Sequence, residues 1–242
     1  PTHIGVAFDP AGPTFRHEAF EQYKAQREET PEAIRLSVPI IKEIIRAYRI
    51  PILEVAGYEA DDVIGTLATE AGRQGIITYM MTPDKDYGQL VSDKVFMYRP
   101  KHTGGFEVMG VDEVKAKFDI QSPAQVIDML GLMGDSSDNI PGCPGVGEKT
   151  AQKLIAEFGS IENLLEHTDQ LKGALKTKVE TNREMITFSK FLATIKIDVP
   201  IQLDMDSLVR EQADEDSLRQ IFEELEFRTL IDRVLKKENA GN

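Results

Sequence analysis

Cysteine is nearly absent from this 242-residue chain. Cys143 stands alone, which excludes an internal disulfide framework and a cysteine-built zinc site. Histidine is scarce, and His3, His17, His102 and His167 are too scattered for a histidine-rich metal site. No apolar run approaches the ~18 residues that span a bilayer, so no membrane partner is expected. No signal peptide is expected. Internal repeats and low-complexity segments are missing. Cations are also in short supply: 28 Lys and Arg face 41 Asp and Glu, a net charge of −13. So acidic a protein repels nucleic acid unless the acid is gathered in one place and neutralised there. What is present, 41% hydrophobic and 29% charged residues, is ordinary for a folded chain and argues against disorder. The length suits one large domain or two small ones.

The acid is not spread evenly. Asp9 ends the apolar run Ile4 to Phe8. Glu59, Asp61 and Asp62 open an apolar-periodic helix. Asp84 and Asp86 follow the run Ile76 to Met81, and Asp135 and Asp138 follow Val126 to Met133. Each cluster alone reads equally well as helix caps, first-turn acids or a turn. Four clusters at four element ends are harder to dismiss. In an open α/β sheet the carboxyl ends of the strands are where ligands bind. Eight carboxylates in one cleft push each other's pKa up, and hard divalent cations such as Mg²⁺ or Mn²⁺ relieve that repulsion.

Along the chain, His3 to Phe8, Ile50 to Val55 and Ile76 to Met81 read as strands. Val95 to Tyr98 and Phe106 to Met109 flank a hairpin at 101–105. Residues 14–29 read as an exposed, partly helical segment. Thr30-Pro31-Glu32 starts a helix that Pro39 should kink or break. Residues 59–73 form the acid-opened helix. Alternation of strand and helix to about residue 100 argues a parallel α/β sheet. Beyond Val111 helical spacing dominates, over 111–118, 123–133, 148–158, 160–166, 181–193 and 214–236. The stripes Ala151, Leu154, Ile155, Phe158 and Leu218, Ile221, Phe222, Leu225 read as core, and the methionines near 80 and 130 as core filler. The tail from Lys236 reads as frayed or cut from something longer.

The stretch 141–150 holds Gly142, Gly145 and Gly147 before Lys149-Thr150. Glu148 intrudes where a P-loop needs its lysine, and the segment before it is helical, so a P-loop is rejected. A hairpin between two helices fits better. Gly145 and Gly147 permit unusual φ values and close approach of a phosphate, the next helix offers its first N–H groups, and Lys149 adds a cation. A plain turn between packed helices is the competing reading. A zincin motif fails because Glu21 stands where the second histidine belongs, and Cys143 reads as a small buried filler.

The strings FDPAGPTFRHE (8–18), YKAQR (23–27), GYEADDVIGTLA (57–68), TPDKDYGQLV (82–91) and GLMGDSSDNIPGCPGVGEKTAQKL (131–154) together resemble the 5′-nuclease domains of bacterial DNA polymerases I, within the flap endonuclease superfamily. The resemblance runs in order over nearly the whole chain. It implies a PIN-like, mostly parallel α/β core with flanking helices over 1–110. A helical region follows over 111–242, with a helix-three-turn-helix DNA-binding motif at about 123–158. It implies metal ligation by Asp9, Glu59, Asp61, Asp62, Asp84, Asp86, Asp135 and Asp138, although Pro83 stands where a small residue is commoner. Catalytic roles fall to Lys24 and Arg27, and DNA binding to Arg16, Lys24, Arg27, Gly145, Gly147, Lys149 and Thr150. Two Mg²⁺ or Mn²⁺ ions are the implied cofactors, with K⁺ at the hairpin as a further candidate. The family's first core strand, which ends in a metal-binding Asp, has no counterpart here.

The expected activity is that of a 5′–3′ exonuclease and 5′-flap endonuclease, with two ions ~3.5–4 Å apart. The expected partners are flapped, nicked or branched DNA and polymerase domains C-terminal in the parent chain. The protein is expected as a monomer in a bacterial cytoplasm, with the nucleoid. A non-catalytic duplex-DNA-binding module is the rival reading, suggested by the absent strand, and a nuclease for structured RNA is a third. Retention of eight spaced acids argues against a pure DNA binder.

Overall fold

The computed structural model describes residues 1–101 and 103–235. The strands are β1 (Val6–Ala7), β2 (Ile52–Leu53), β3 (Thr78–Met81), β4 (Val95–Pro100) and β5 (Phe106–Met109). The helices are α1 (Phe15–Ala19), α2 (Glu32–Ala47), α3 (Ala60–Arg73), α4 (Val111–Phe118), α5 (Val126–Met133), α6 (Glu148–Phe158), α7 (Ile161–Glu166), α8 (Gly173–Thr181), α9 (Arg183–Ala193) and α10 (Glu215–Glu224). The architecture is mixed α/β, with little sheet and many helices. Two compact units form, and neither is one continuous stretch of chain. His102 and the tail from Lys236 lie outside the described residues.

Among the described residues the smaller unit comprises Pro1–Phe8, Glu28–Glu54 and 204–235. In it β1 runs parallel to β2, with Val6 opposite Ile52 and Ala7 opposite Leu53. Ala47, Leu218, Phe222 and Leu235 form its core. Helix α2 runs through Pro39 without breaking. Pro39 sits on the exposed side, so water can satisfy the Arg35 carbonyl that loses its partner. The expected helix 214–236 does break. Glu226 is left-handed (φ 56°), and the Phe227 N–H bonds back to the Phe222 carbonyl at 2.8 Å.

The larger unit comprises Asp9–Arg27 and Val55–Leu203. Its sheet has the order β3-β4-β5, with β3 parallel and β5 antiparallel to β4. Met80, Val95, Met97 and Met109 lie on the buried face, as the two-residue period of a strand requires. Tyr79, Phe96, Tyr98 and Phe106 stack on the other face. Helix α5 is the pivot of the helical part: Val126, Met129, Leu130 and Leu132 are wholly buried. Buried Asp128 in α5 accepts from the Ile161 N–H at 2.9 Å and the Lys190 ammonium at 2.6 Å, tying α7 and α9 to it.

Candidate active site

All eight singled-out carboxylates belong to the larger unit. Asp9 is exposed, and its Oδ1 accepts the Ala60 N–H at 2.8 Å at the start of α3. Asp61, one residue on, accepts the Tyr87 hydroxyl at 2.6 Å. Asp84 caps the tight turn Lys85–Leu90 by accepting the Asp86 N–H at 2.9 Å. Asp135 opens a loop closed by paired backbone hydrogen bonds with Ile140. Its Oδ1 accepts from the Ser137 N–H and hydroxyl, and its Oδ2 from the Lys85 ammonium at 2.6 Å.

The electrostatics place five of these acids in one neighbourhood. Burial first, then the Glu59 and Asp84 charges, push Asp61 up to about 6 against a hydrogen bond from Tyr87. Burial, Asp84 and Asp135 push Asp86 up to about 7 against Lys85. The Tyr87 phenol is raised by burial, then by Asp61, Asp84 and Asp9. Burial also works against ionised Asp135, but Lys85 and Ser137 hold it below the usual carboxylate range. Asp86 Oδ1 is buried with no hydrogen-bond partner.

The remaining three acids are already matched by cations. The Arg16 guanidinium grips Glu59 at 2.5 Å and both oxygens of Asp62 at 2.8 Å, and donates to the carbonyls of Leu192 and Thr194. Lys24 bonds Glu59, and Arg27 bonds Asp138. Burial raises Glu59, yet Lys24 and Arg16 bring it below its ordinary value. The segment 20–27 lies on the acidic loop: Lys24 N–H donates to the Asp138 carbonyl, the Gln26 amide to that of Ser136, and the Asn139 amide to that of Gln22.

Three expectations change. Arg16 is 2% exposed and fully engaged, so it braces the site instead of meeting DNA. Asp62 is 0% exposed, and its oxygens are taken by Arg16 and by the N–H groups of Glu59 and Lys196, so it offers none to a metal. Among the described residues no three His, Cys, Asp or Glu side chains come together closely enough to grip one ion as they stand. Instead, Arg16, Lys24, Arg27 and Lys85 pair with Glu59, Asp62, Asp138, Asp86 and Asp135. Sequence reasoning passed over Lys85 and Tyr87. Lys85 carried a signal, a cation set between two acids; Tyr87 carried none.

The hairpin of 134–147 joins α5 to α6. Gly142 (φ 63°) packs so tightly that a Cβ would lie 2.3 Å from the Gly134 nitrogen, so glycine is required there. Gly145 is left-handed (φ 79°) and exposed beside Lys178. Gly147, which could take an unusual φ, has φ −95° and stands at the N-cap of α6 with open space around it. The first-turn amides of α6 have no carbonyl partner within the helix, Lys149 is exposed and Thr150 half-buried. Cys143 is buried, as a filler would be.

Two family models match the chain. They are "5′-3′ exonuclease, N-terminal resolvase-like domain" over residues 1–119 and "5′-3′ exonuclease, C-terminal SAM fold" over residues 121–216. DNA polymerase I of Bacillus subtilis (strain 168) is 44% identical over 236 residues, and that of Bacillus caldotenax 42%. Each alignment covers 97% of this chain, which spans 27% of the relative's length. The bacteriophage T5 D15 flap endonuclease, solved as a pseudo-enzyme-product complex with DNA and metal ions, has a TM-score of 0.66 at 22% identity, over 90% of this chain and 82% of that one. That likeness is one of fold. Since the two models follow one another along nearly all of the sequence, the chain belongs to the 5′-3′ exonuclease family.

Proposed function

We propose that this chain hydrolyses phosphodiester bonds near the 5′ end of flapped, nicked or branched DNA, as the nuclease part of a bacterial DNA polymerase I acting as a monomer on nucleoid DNA. The observation that carries the reading is that acids from separate stretches of chain act on one another: Asp84 raises both Asp61 and Asp86, Asp135 also raises Asp86, and Asp9 bears on the Tyr87 phenol that bonds Asp61. The residues fit divalent ions. Their donors are hard oxygens, two of them are raised toward neutrality by burial and by neighbouring acids, and buried Asp86 Oδ1 has the Lys85 ammonium 3.3 Å away. Asp9 and Asp61 would face one Mg²⁺ or Mn²⁺ ion, and Asp84, Asp86 and Asp135 the other. Glu59, Asp62 and Asp138 act from behind them. Bound there, the ions would activate water and stabilise the leaving oxygen.

The chain's own cations do the rest. Lys24 and Arg27, held beside Glu59 and Asp138, meet the 5′ phosphate and guide the single-stranded arm. Residues 1–110 would supply most of the catalytic acids, and 111–242 would hold DNA while contributing Asp135 and Asp138 to the site. The motif at 123–158 grips duplex through Gly145, Gly147, Lys149 and Thr150, with K⁺ at the hairpin belonging to the same reading. Lys149→Ala is expected to weaken flap-duplex binding about two- to five-fold at low salt and to reduce the salt slope by about 1. Fluorescence anisotropy across a salt series measures this, and an unchanged slope would remove Lys149 from the phosphate contacts.

The deciding assay is cleavage of a 5′-flap duplex with Mg²⁺, which should release short 5′ products and stop when EDTA is added. A second reading, a DNA-binding module without chemistry, draws on the ion pairs that already neutralise the acids. Metal-independent duplex binding without cleavage would favour it. Equal cleavage of an RNA arm would widen the substrate class.

A further inference from the structure

Lys85 stands between Asp84 and Asp86 and begins the turn Lys85–Leu90. Its ammonium lies 2.6 Å from Asp135 Oδ2 and 3.3 Å from Asp86 Oδ1. Both acids are only 9% exposed. Asp86 Oδ1, buried and without a hydrogen-bond donor, is met by this ammonium as an ion pair. Lys85 bridges two carboxylates from different segments: it pairs with Asp86 Oδ1 and with Asp135 Oδ2, while Asp135 Oδ1 accepts from Ser137. The Lys85 side chain is itself 38% exposed, so its flexible stem has a route out to water.

We propose that Lys85 is a displaceable counter-ion, holding Asp86 and Asp135 together while no metal is bound and competing with a divalent cation for the same oxygens. The inference rests on the metal reading above and adds a positioning residue to it. Two like charges in a buried site need a compensating cation. A single ammonium, tethered beside the pair, supplies it at the cost of part of its own hydration, and a divalent ion supplies more charge to the same pair. Loading therefore requires the side chain to swing out, and lysine sets the threshold concentration at which this happens.

The test uses Mn²⁺ alone, by isothermal titration and thermal melting of the full chain, for the wild type, Lys85→Met and Lys85→Arg. Lys85→Met should lower the melting temperature of the metal-free chain and tighten Mn²⁺ at one site by about ten-fold or more, so that its stabilisation by Mn²⁺ exceeds the wild type's. Lys85→Arg, which keeps the charge, should retain the metal-free melting temperature. If Lys85→Met changes Mn²⁺ affinity by less than about two-fold and melts lower by the same amount with and without Mn²⁺, Lys85 is a structural brace and the inference is overturned. A Mn²⁺ response confined to Lys85→Met supports it. No response in either protein overturns the metal reading together with it, a result distinct from equal responses in both. Should Lys85→Met not fold, Lys85→Gln removes the charge while keeping a donor and carries the same comparison.

Discussion

Arg16→Met is expected to cost the chain roughly 3–5 kcal/mol of stability. The guanidinium is enclosed, and each of its nitrogens has a partner. Nε donates to the Leu192 carbonyl at 2.9 Å, Nη1 to Glu59 and Asp62, and Nη2 to Asp62 and the Thr194 carbonyl. Burial works against its charge, but Asp62 and Glu59 more than offset that and raise its pKa above the ordinary value. Methionine fills the space and leaves Glu59 at 5% and Asp62 at 0% exposure facing each other without their shared cation. Lys24 still serves Glu59, so Asp62 bears most of the penalty. Lysine should rescue poorly, since one ammonium cannot reproduce a fork that serves two carboxylates and two carbonyls. The double variant Arg16→Met with Asp62→Leu should recover part of the loss, because a buried pair replaced by apolar groups is often close to neutral. Urea melts of the three proteins measure this. A loss below about 1 kcal/mol for Arg16→Met would place Arg16 among the surface cations after all.

The surroundings of Arg16 also show how much of the site could be read from the sequence. The acids were readable because each cluster stood where an apolar run ended, and that position is local information. Arg16 was not, because a basic residue in a polar stretch looks exposed until its partners are known. Those partners, Glu59, Asp62, Leu192 and Thr194, lie 43 to 178 positions away. The same limit explains the helix expected over 214–236. Apolar residues continue on the helical period through Leu225, Leu230 and Val234, and nothing in that pattern announces a left-handed Glu226. Helix α8 went unread for the opposite reason: it opens on Gly173 and offers few apolar positions, among them Leu175 and Val179. The strands read as His3 to Phe8 and Ile50 to Val55 pair over only two residues each. Hydropathy reports how apolar a stretch is, not how long its partner runs beside it. In the hairpin, glycine content pointed to the right turn, but the demanding position is Gly142, set by contact with Gly134, while Gly147 needs only open space.

Asp86→Asn should carry the opposite sign from Arg16→Met in stability and the larger effect in function. Asp86 is held in the folded chain near 7 against an ordinary 3.8, by burial and by Asp84 and Asp135. A group raised in this way keeps its proton in the folded state where the unfolded chain has lost it. Its contribution is therefore complete below about pH 4 and is lost as pH rises to about 7; above that the chain carries a buried charge. Asp61, near 6, adds to the same slope, while Glu59 and Asp135, held low, act in the other direction and lose their contribution as pH falls. Asparagine has the same shape and nothing to titrate. The metal-free variant should thus exceed the wild type in stability by on the order of 1–3 kcal/mol at pH 8, and the difference should close by about pH 4. On the metal reading, flap cleavage should fall roughly a hundred-fold or more, because a lost metal contact removes several kcal/mol of charge stabilisation. Urea melts at pH 5 and pH 8 with EDTA, paired with the cleavage assay, test both halves. A variant less stable than the wild type at pH 8 would mean that Lys85 already compensates Asp86 in full. The carboxylate that weakens the empty fold would then not be the one the chemistry needs, and the repulsion from which a metal site has been argued would lose its sharpest instance.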